Sequence, residues 1–286
     1  MSVYEVVQER SLDAPVLVLA MDGWIDAGFG AAGAVAHLLG QVTTEVMVRF
    51  DGGEFVDYRA RRPTVRLVDG MNTGLTWPEI ELRAGRDGAG HDMLVLAGPE
   101  PDMRWRLFVS TVVEMAGALG VRLVCGLGAF PAAVPHTRPV RLASTATVRE
   151  LAERVGYVTG TLEAPAGVHV ALEEGFAAAG VPAVGLWARV PHYAATMPYP
   201  AASAALIEGL AAVAGLELDA RDLRAAAALA GSRIDQAIAN SDEHAEMVRQ
   251  LEAALDKSEA GPPIDPRNLP SGDEIAAELE RFLRGE

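Results

Sequence analysis

The 286-residue chain carries a single cysteine, Cys125, and a single lysine, Lys257. One thiol excludes an intramolecular disulfide framework and a thiolate-ligated zinc cluster. Closing the apolar run "VRLVC", Cys125 reads as a buried, inert thiol. Positive charge is scarce: 24 Lys and Arg stand against 39 Asp and Glu, a formal net charge of −15. Such a chain repels phosphate backbones and anionic lipid, so neither nucleic acid nor membrane is an expected partner. No apolar run reaches the ~18 residues that a membrane span requires. The opening "MSVYEVVQERSLD" has neither a basic start nor an apolar h-region, so no signal peptide and a cytoplasmic location are expected. Catalytic signatures are missing as well: there is no G-x-S-x-G elbow, no H-E-x-x-H, no Walker loop and no EF-hand. "HVALEE" sets His169 and Glu173 four apart on a helix, but no second ligand cluster follows, so no metal is expected.

What the chain does have is size and alternation. Half its residues are hydrophobic, and a chain of this length buries roughly 75% of its unfolded surface without any staple. Strands are expected in "YEVVQE", "PVLVLA" (15–20), "EVMVRF" (45–50), "EFVDYRA" (54–60), "TVRLVD" (64–69), "MLVLAG" (93–98), "VRLVCG" (121–126), "VRLAST" (140–145) and "PAVGLWARV" (182–190). Helices fit 27–39, 102–119, 146–154, 168–179 and 200–215. The unbroken apolar runs are those of strands covered on both faces. Strand alternating with helix predicts an α/β fold with a mixed, mostly parallel sheet over 1–216. The 45–69 region lacks a helical pattern and is expected to add antiparallel strands or a hairpin. From 217 to 286 no strand pattern appears, and 16 acidic residues face 8 basic ones. This last quarter reads as an acidic helical appendage, packed on the core or on a neighbouring subunit. Its final helix is expected to start at a capping box, Ser271 with Glu274, and to bury Ile275, Leu279, Phe282 and Leu283.

"LVLAMDGWIDAGFGAAG" holds Gly28, Gly30 and Gly33 in G-x-G-x-x-G spacing. A dinucleotide loop needs its first glycine at the strand's end, where amides and a helix N-terminus meet the pyrophosphate. Here "MDGWIDA" intervenes, which places the glycines inside the helix as close-packing residues, and no cofactor is expected. The loop itself is the better candidate, with Asp22, Trp24 and Asp26 between a buried strand and a helix start. Asp26 is also placed to act as an N-cap, and Trp24 to pack.

Other strand ends carry candidate ligand-binding residues: Glu100 after "MLVLA", His136 and Arg138 after "VRLVC", His192 and Tyr193 after "LWARV". If the strands run parallel, these residues and Asp22 converge on the carboxyl edge of the sheet, where open α/β sheets bind ligands. Each has a structural alternative: Glu100 as the cap of a helix starting near Pro101, the others as loop and corner contacts.

These same loops resemble the proteasome assembly chaperone 2 family, in its actinobacterial branch. The likeness rests on "GWIDAG" (23–28), "VPHTRPVRL" (134–142), "GVPAVGLWARVPHYAATMPYPAASAALIEGL" (180–210) and "DPRNLPSGDEIAAELERFLR" (265–284). The resemblance implies a three-layer α/β/α domain with a phosphorylase/hydrolase-like core and a non-enzymatic, chaperone-like role with proteasome subunits or another protein as partner. It supplies no catalytic residues. The family's eukaryotic chaperones can dock through a hydrophobic–Tyr–any-residue tail, and this chain has Gly285 where that tyrosine would be. The apolar stripes of the C-terminal helices add the expectation of a homo-oligomer. The alternative is a small-molecule enzyme or sensor in which His136 and Arg138 hold an anionic group.

Overall fold

The computed structural model describes residues 3–23 and 25–259. Trp24, the capping box at Ser271, the last helix with its apolar stripe and the chain end at Gly285 lie outside those residues. A short strand, β1 (Tyr4–Val6), is followed by β2 (Val16–Asp22) and, after a 3-10 turn at Ala27–Phe29, by α1 (Gly30–Gln41) and β3 (Thr44–Phe50). One helical turn, α2 (Gly52–Phe55), and two strands, β4 (Thr64–Val68) and β5 (Met71–Thr76), precede β6 (Glu81–Arg86) and β7 (Asp92–Pro99). Then come α3 (Trp105–Ala118), β8 (Leu123–Ala132), β9 (Leu142–Ala146), α4 (Arg149–Val155), α5 (Val168–Ala178) and β10 (Ala183–Pro191). A 3-10 turn at His192–Ala194 leads to α6 (Pro200–Ala214), α7 (Arg221–Ile238) and α8 (Asp242–Glu259).

Eight strands form one sheet in the order β1-β3-β6-β7-β2-β8-β10-β9. The middle four, β7, β2, β8 and β10, are parallel, and the flanking strands join antiparallel. The apolar runs exist because both faces are covered. Val16, Val18 and Ala20 of β2 face a layer holding Leu38 of α1 and Leu206 and Leu210 of α6. Leu17, Leu19 and Met21, one residue out of phase, face Phe108 of α3 and Leu172 and Phe176 of α5. Each fully buried side chain of this size contributes roughly 1.5–3 kcal/mol. The result is the expected α/β/α sandwich around a mixed sheet. The C-terminal helices follow on it, and α7 sends Ile234 into the α1/α6 side of the core.

Two local expectations are corrected and one is met. The strand expected over 54–60 does not form: Asp51 Oδ1 accepts the Gly53 N–H at 2.9 Å and caps the helical turn α2, and the chain turns again at 58–60. The strand expected at 64–69 forms and, as expected for 45–69, makes an antiparallel hairpin, which among the described residues is a separate two-stranded sheet with β5. The helix expected over 27–39 is broken at Gly28 and Phe29, whose φ of 63° and 51° are left-handed, so a 3-10 turn precedes α1. A side chain at Gly28 would meet Tyr199 Cβ at 2.7 Å, and one at Gly33 would run into Ser203 Oγ of α6. A Cβ at Gly30 would meet Ala129 of β8 at 2.9 Å and Ala202 of α6 at 3.0 Å, so the glycines let this segment approach both the sheet and a second helix.

Candidate functional site

The parallel register opens a crevice. β2 pairs with β8 only from Val16 to Leu19, opposite Leu123 to Gly126. Beyond that β2 stays with β7 as far as Asp22, and β8 stays with β10 as far as Ala132. A single bridge, Asp26 to Ala129, ties the chain back after the 23–25 loop. From β2 the chain leaves toward β3 on one side, and from β8 it leaves toward β9 and β10 on the other. Such a point of reversal is where an open α/β sheet binds ligands. A cavity of about 360 Å³ lies here, walled by the first turns of α1 and α5 and by Asp22, Asp26, Leu127, Trp187 and His169.

Beside this space, glycines let side chains pack directly on the sheet. Gly126, Gly128 and Gly185 lie on the α5 side of adjoining strands, with Trp187 opposite Gly128 in the register. A Cβ at Gly128 would collide with the Trp187 indole, and one at Gly185 would crowd Glu173 Oε1 at 2.5 Å and Thr145 Oγ1 at 2.6 Å. Without side chains there, polar groups fit beneath α5. Trp187 Nε1 donates to Thr145 Oγ1 at 3.2 Å, and Thr145 Oγ1 donates to Glu173 Oε1 at 2.9 Å. Burial pushes the Glu173 carboxyl up to about 7, opposed by the Thr145 hydrogen bond. Burial alone pushes His169 down to about 4, so its imidazole is neutral at pH 7. His169 Nε2 is wholly buried and has no hydrogen-bond partner among the described residues.

Asp26 works mainly as a cap. Its two carboxylate oxygens accept the N–H groups of Ala31 at 2.7 Å and Ala32 at 2.9 Å, bonding across the 3-10 turn. Burial nevertheless raises its pKa, outweighing those N–H groups. Asp22 is exposed at the rim. Trp24 lies outside the described residues.

The other expected residues serve elsewhere. Glu100 is buried and accepts the Val168 N–H at 2.6 Å, so it caps α5 and not the helix near Pro101. His136, Arg138, His192 and Tyr193 do not join Asp22 at the cavity. The Tyr193 hydroxyl sits 2.8 Å from both His136 N and His136 Nδ1, and His136 Nε2 reaches Asp235 of α7 at 3.0 Å. Arg138 bonds Glu252 at 3.1 Å and Asp256 at 3.0 Å, both on α8, and Thr137 also donates to Glu252. His192 stacks edge-on against Tyr193 with ring centroids 5.3 Å apart. Leu255 of α8 lines, with Val134, Pro135 and Pro139, a void of only about 10 Å³. This second cluster is the seat of the C-terminal helices.

Sequence reasoning missed Gly128, Gly185, Thr145 and Trp187, and weighed His169 and Glu173 only as metal ligands. The readable signal was glycine at alternate positions inside strands, "CGLGA" and "VGLWA", which marks close approach by other groups. Among the described residues no group of three or more His, Cys, Asp or Glu side chains is placed to hold a metal ion. No described helix is long and apolar enough to cross a membrane.

A doubly covered sheet with a crevice at its point of reversal and a helical C-terminal extension defines the class. The chain belongs to the PAC2 family, whose model matches residues 20–238. Among solved structures it is similar to Rv2714 of Mycobacterium tuberculosis, a protein of unknown function, at 37% identity over 89% of this chain and 91% of that one, with a TM-score of 0.82. A PAC2 family protein from Streptomyces avermitilis is 38% identical over 82% of this chain and 99% of that one, with a TM-score of 0.73. Rv2125 of Mycobacterium tuberculosis, a proteasome-assembly chaperone homologue, is 36% identical over 82% and 99%, with a TM-score of 0.75. No curated protein matches the chain.

Proposed function

We propose that the protein acts by binding other protein chains, as an assembly or interaction factor without catalytic chemistry, and that it does so as a homo-oligomer in the cytoplasm. The observation that carries this reading is the β4–β5 hairpin. Among the described residues its strands pair only with each other, and all their residues are exposed. Leu67 is 60% and Met71 70% exposed, with Val65, Val68, Leu75 and Trp77 also open to solvent. An isolated two-stranded ribbon is marginal in water, and an apolar patch of this kind marks an interaction surface. The stem carries Arg59 and Arg62, and β4 carries Arg66, in a chain of net charge −15, while Arg61 is held by Asp102 at 3.1 Å. That charge complements the acidic C-terminal segment of a second copy. The segment 217–286 is then an appendage available both to its own core and to a neighbour. A proteasome subunit is the partner class that the Rv2125 relative suggests.

The alternative, an enzyme or sensor gripping an anion through His136 and Arg138, loses its two groups to α7 and α8. Native mass spectrometry at micromolar concentration tests the main reading. Wild type is expected as an oligomer, and Leu67→Ser with Met71→Ser as a folded monomer. Affinity purification from the native host is expected to recover a defined partner, lost in the same variant. A monomeric wild type that recovers only background proteins would overturn it.

A further inference from the structure

We infer that Asp102 is the positioning residue of the β4–β5 arm: through Asp57 and Arg61 it sets the angle at which Arg59, Arg62 and Arg66 meet an acidic surface on a second copy of the chain. This rests on the reading of the hairpin as the interaction element. It adds which arginines face the partner and what holds them in place.

The first observation is a division among four arginines, Arg59, Arg61, Arg62 and Arg66, that lie within eight residues. Arg61 is half-buried, and its Nε donates to both carboxylate oxygens of Asp102, at 3.1 and 3.2 Å. Arg59, Arg62 and Arg66 are exposed, and among the described residues none of the three has a carboxylate partner. Three uncompensated cations on one arm complement an acidic surface, and the net charge of −15 means that a second copy can offer one.

The second observation is the clamp. Asp102 lies in the loop between β7 and α3. Its Oδ2 also accepts the Asp57 N–H at 2.9 Å, and the N–H groups of Asp102 and Met103 donate to Phe55 O at 2.8 and 3.4 Å. Phe55 is fully buried, so this leg of the hairpin is stitched to the loop where it leaves the core. An exposed ion pair alone is worth little. Here one carboxylate, with its side chain only 20% exposed, binds both a guanidinium and a backbone N–H of the same leg. On the other leg Ile80 is fully buried, and Trp77 meets Tyr58 across the base with ring centroids 4.7 Å apart.

Above that base every residue of both strands is exposed. A ribbon free to swing loses that freedom when it docks, and the loss weakens binding; an arm already held at its docked angle avoids it. Pro63, just before β4, and Pro78, two residues after β5, restrict the legs further. Asp102 thus acts through the stem, and the three exposed arginines act on the partner.

The dissociation constant of the full-chain oligomer, from a dilution series in the analytical ultracentrifuge, tests this division. Asp102→Ala is expected to raise it about tenfold, and Asp102→Asn, which keeps an oxygen for the Asp57 N–H, by a smaller factor. The melting temperature and the cross-strand amide protection of β4–β5 are expected to hold in both. Wild type should dissociate more readily as sodium chloride rises from about 0.05 to about 0.5 M, and Asp102→Ala should keep that dependence. Replacing Arg59, Arg62 and Arg66 together by glutamine should flatten it. An unchanged dissociation constant in Asp102→Ala would overturn the inference. So would loss of β4–β5 protection in that variant, since the clamp would then serve the ribbon's own fold, or a salt dependence that survives the triple glutamine variant. An oligomer that is lost in Leu67→Ser with Met71→Ser but indifferent to Asp102 leaves the hairpin reading standing without this one, whereas a monomeric wild type removes both.

Discussion

The Tyr193 hydroxyl stands 2.8 Å from the backbone nitrogen of His136 and 2.8 Å from its Nδ1. The Asp235 carboxylate only accepts, so His136 carries a proton on Nε2 and donates it there at 3.0 Å. In the neutral ring Nδ1 then accepts the Tyr193 O–H, whose oxygen also accepts the His136 backbone N–H. A hydroxyl in the turn after β10 is thereby linked through one imidazole to α7. Tyr193→Phe leaves the buried N–H and Nδ1 of His136 without that partner. The expected loss is about 1–3 kcal/mol in chemical denaturation. Amide exchange should rise around Asp235, and an unchanged exchange pattern would argue against the relay.

Arg138 is the electrostatic counterpart for α8. Its guanidinium reaches two carboxylates one turn apart, Glu252 and Asp256, and its hydrogen bond and positive charge hold Asp256 below its ordinary pKa. Because the arginine is partly exposed, the energy is modest and screened by salt. Charge reversal is more telling than truncation. Arg138→Glu should speed amide exchange through 242–257 by about tenfold or more while leaving the sheet protected. Raising ionic strength in the wild type should move exchange partway toward the variant. Equal protection in both proteins would show that Leu255 and its neighbours suffice to seat the helix.

Gly33 and Ser203 report how closely α1 and α6 approach. Ser203 Oγ donates to Gly30 O at 2.9 Å inside the core, and a Cβ on Gly33 would occupy that oxygen's place. Gly33→Ala should therefore destabilise by about 1–3 kcal/mol despite the better helix propensity of alanine. Removing the obstructing oxygen should restore much of the loss. Gly33→Ala with Ser203→Ala is expected to be more stable than the two single changes sum to, with a coupling of about 1 kcal/mol. Strict additivity in thermal unfolding would contradict the contact.

What could be read from the sequence followed periodicity. The runs "VLVLA", "MLVLA" and "VRLVC" had to be strands covered on both faces, and helices followed them. β6 was illegible because "ELRAGR" mixes arginine and glycine with its buried Leu82 and Ala84. A hairpin or antiparallel strands were legible in 45–69, and β4–β5 turns at Asp69-Gly70, both with positive φ; β5 itself was not, because "MNTGLT" mixes polar residues and glycine with its apolar ones. The place of Asp22 and Asp26 between β2 and the start of α1 was legible from the sequence. The division of the others was not, because Asp235, Glu252 and Asp256 lie about 100 residues or more from the side chains they bind. No local pattern reports a partner at that separation.

His169 and Glu173, one turn apart on α5, give the fold two opposed responses to pH. His169 falls from its ordinary 6.5 to about 4 on folding, so the unfolded chain takes up its proton first. Its contribution is whole above pH 6.5 and is lost as pH falls toward 4. Glu173 rises from its ordinary 4.5 to about 7, so the folded chain keeps its proton longer. Its contribution is whole below pH 4.5 and is lost as pH rises toward 7. Between 4.5 and 6.5 the slopes oppose each other, and single substitutions should expose them. Glu173→Gln keeps an oxygen for Thr145 and removes the buried charge. It should stabilise the protein by roughly 2–3 kcal/mol near pH 8 and very little near pH 4.5. His169→Leu should gain more near pH 5 than near pH 8, by roughly 2 kcal/mol. Chemical denaturation across that range measures both. Gains that do not vary with pH would mean that neither group changes its proton affinity on folding, and the desolvated trough beneath α5 would have to be wetter than its glycines and buried side chains imply.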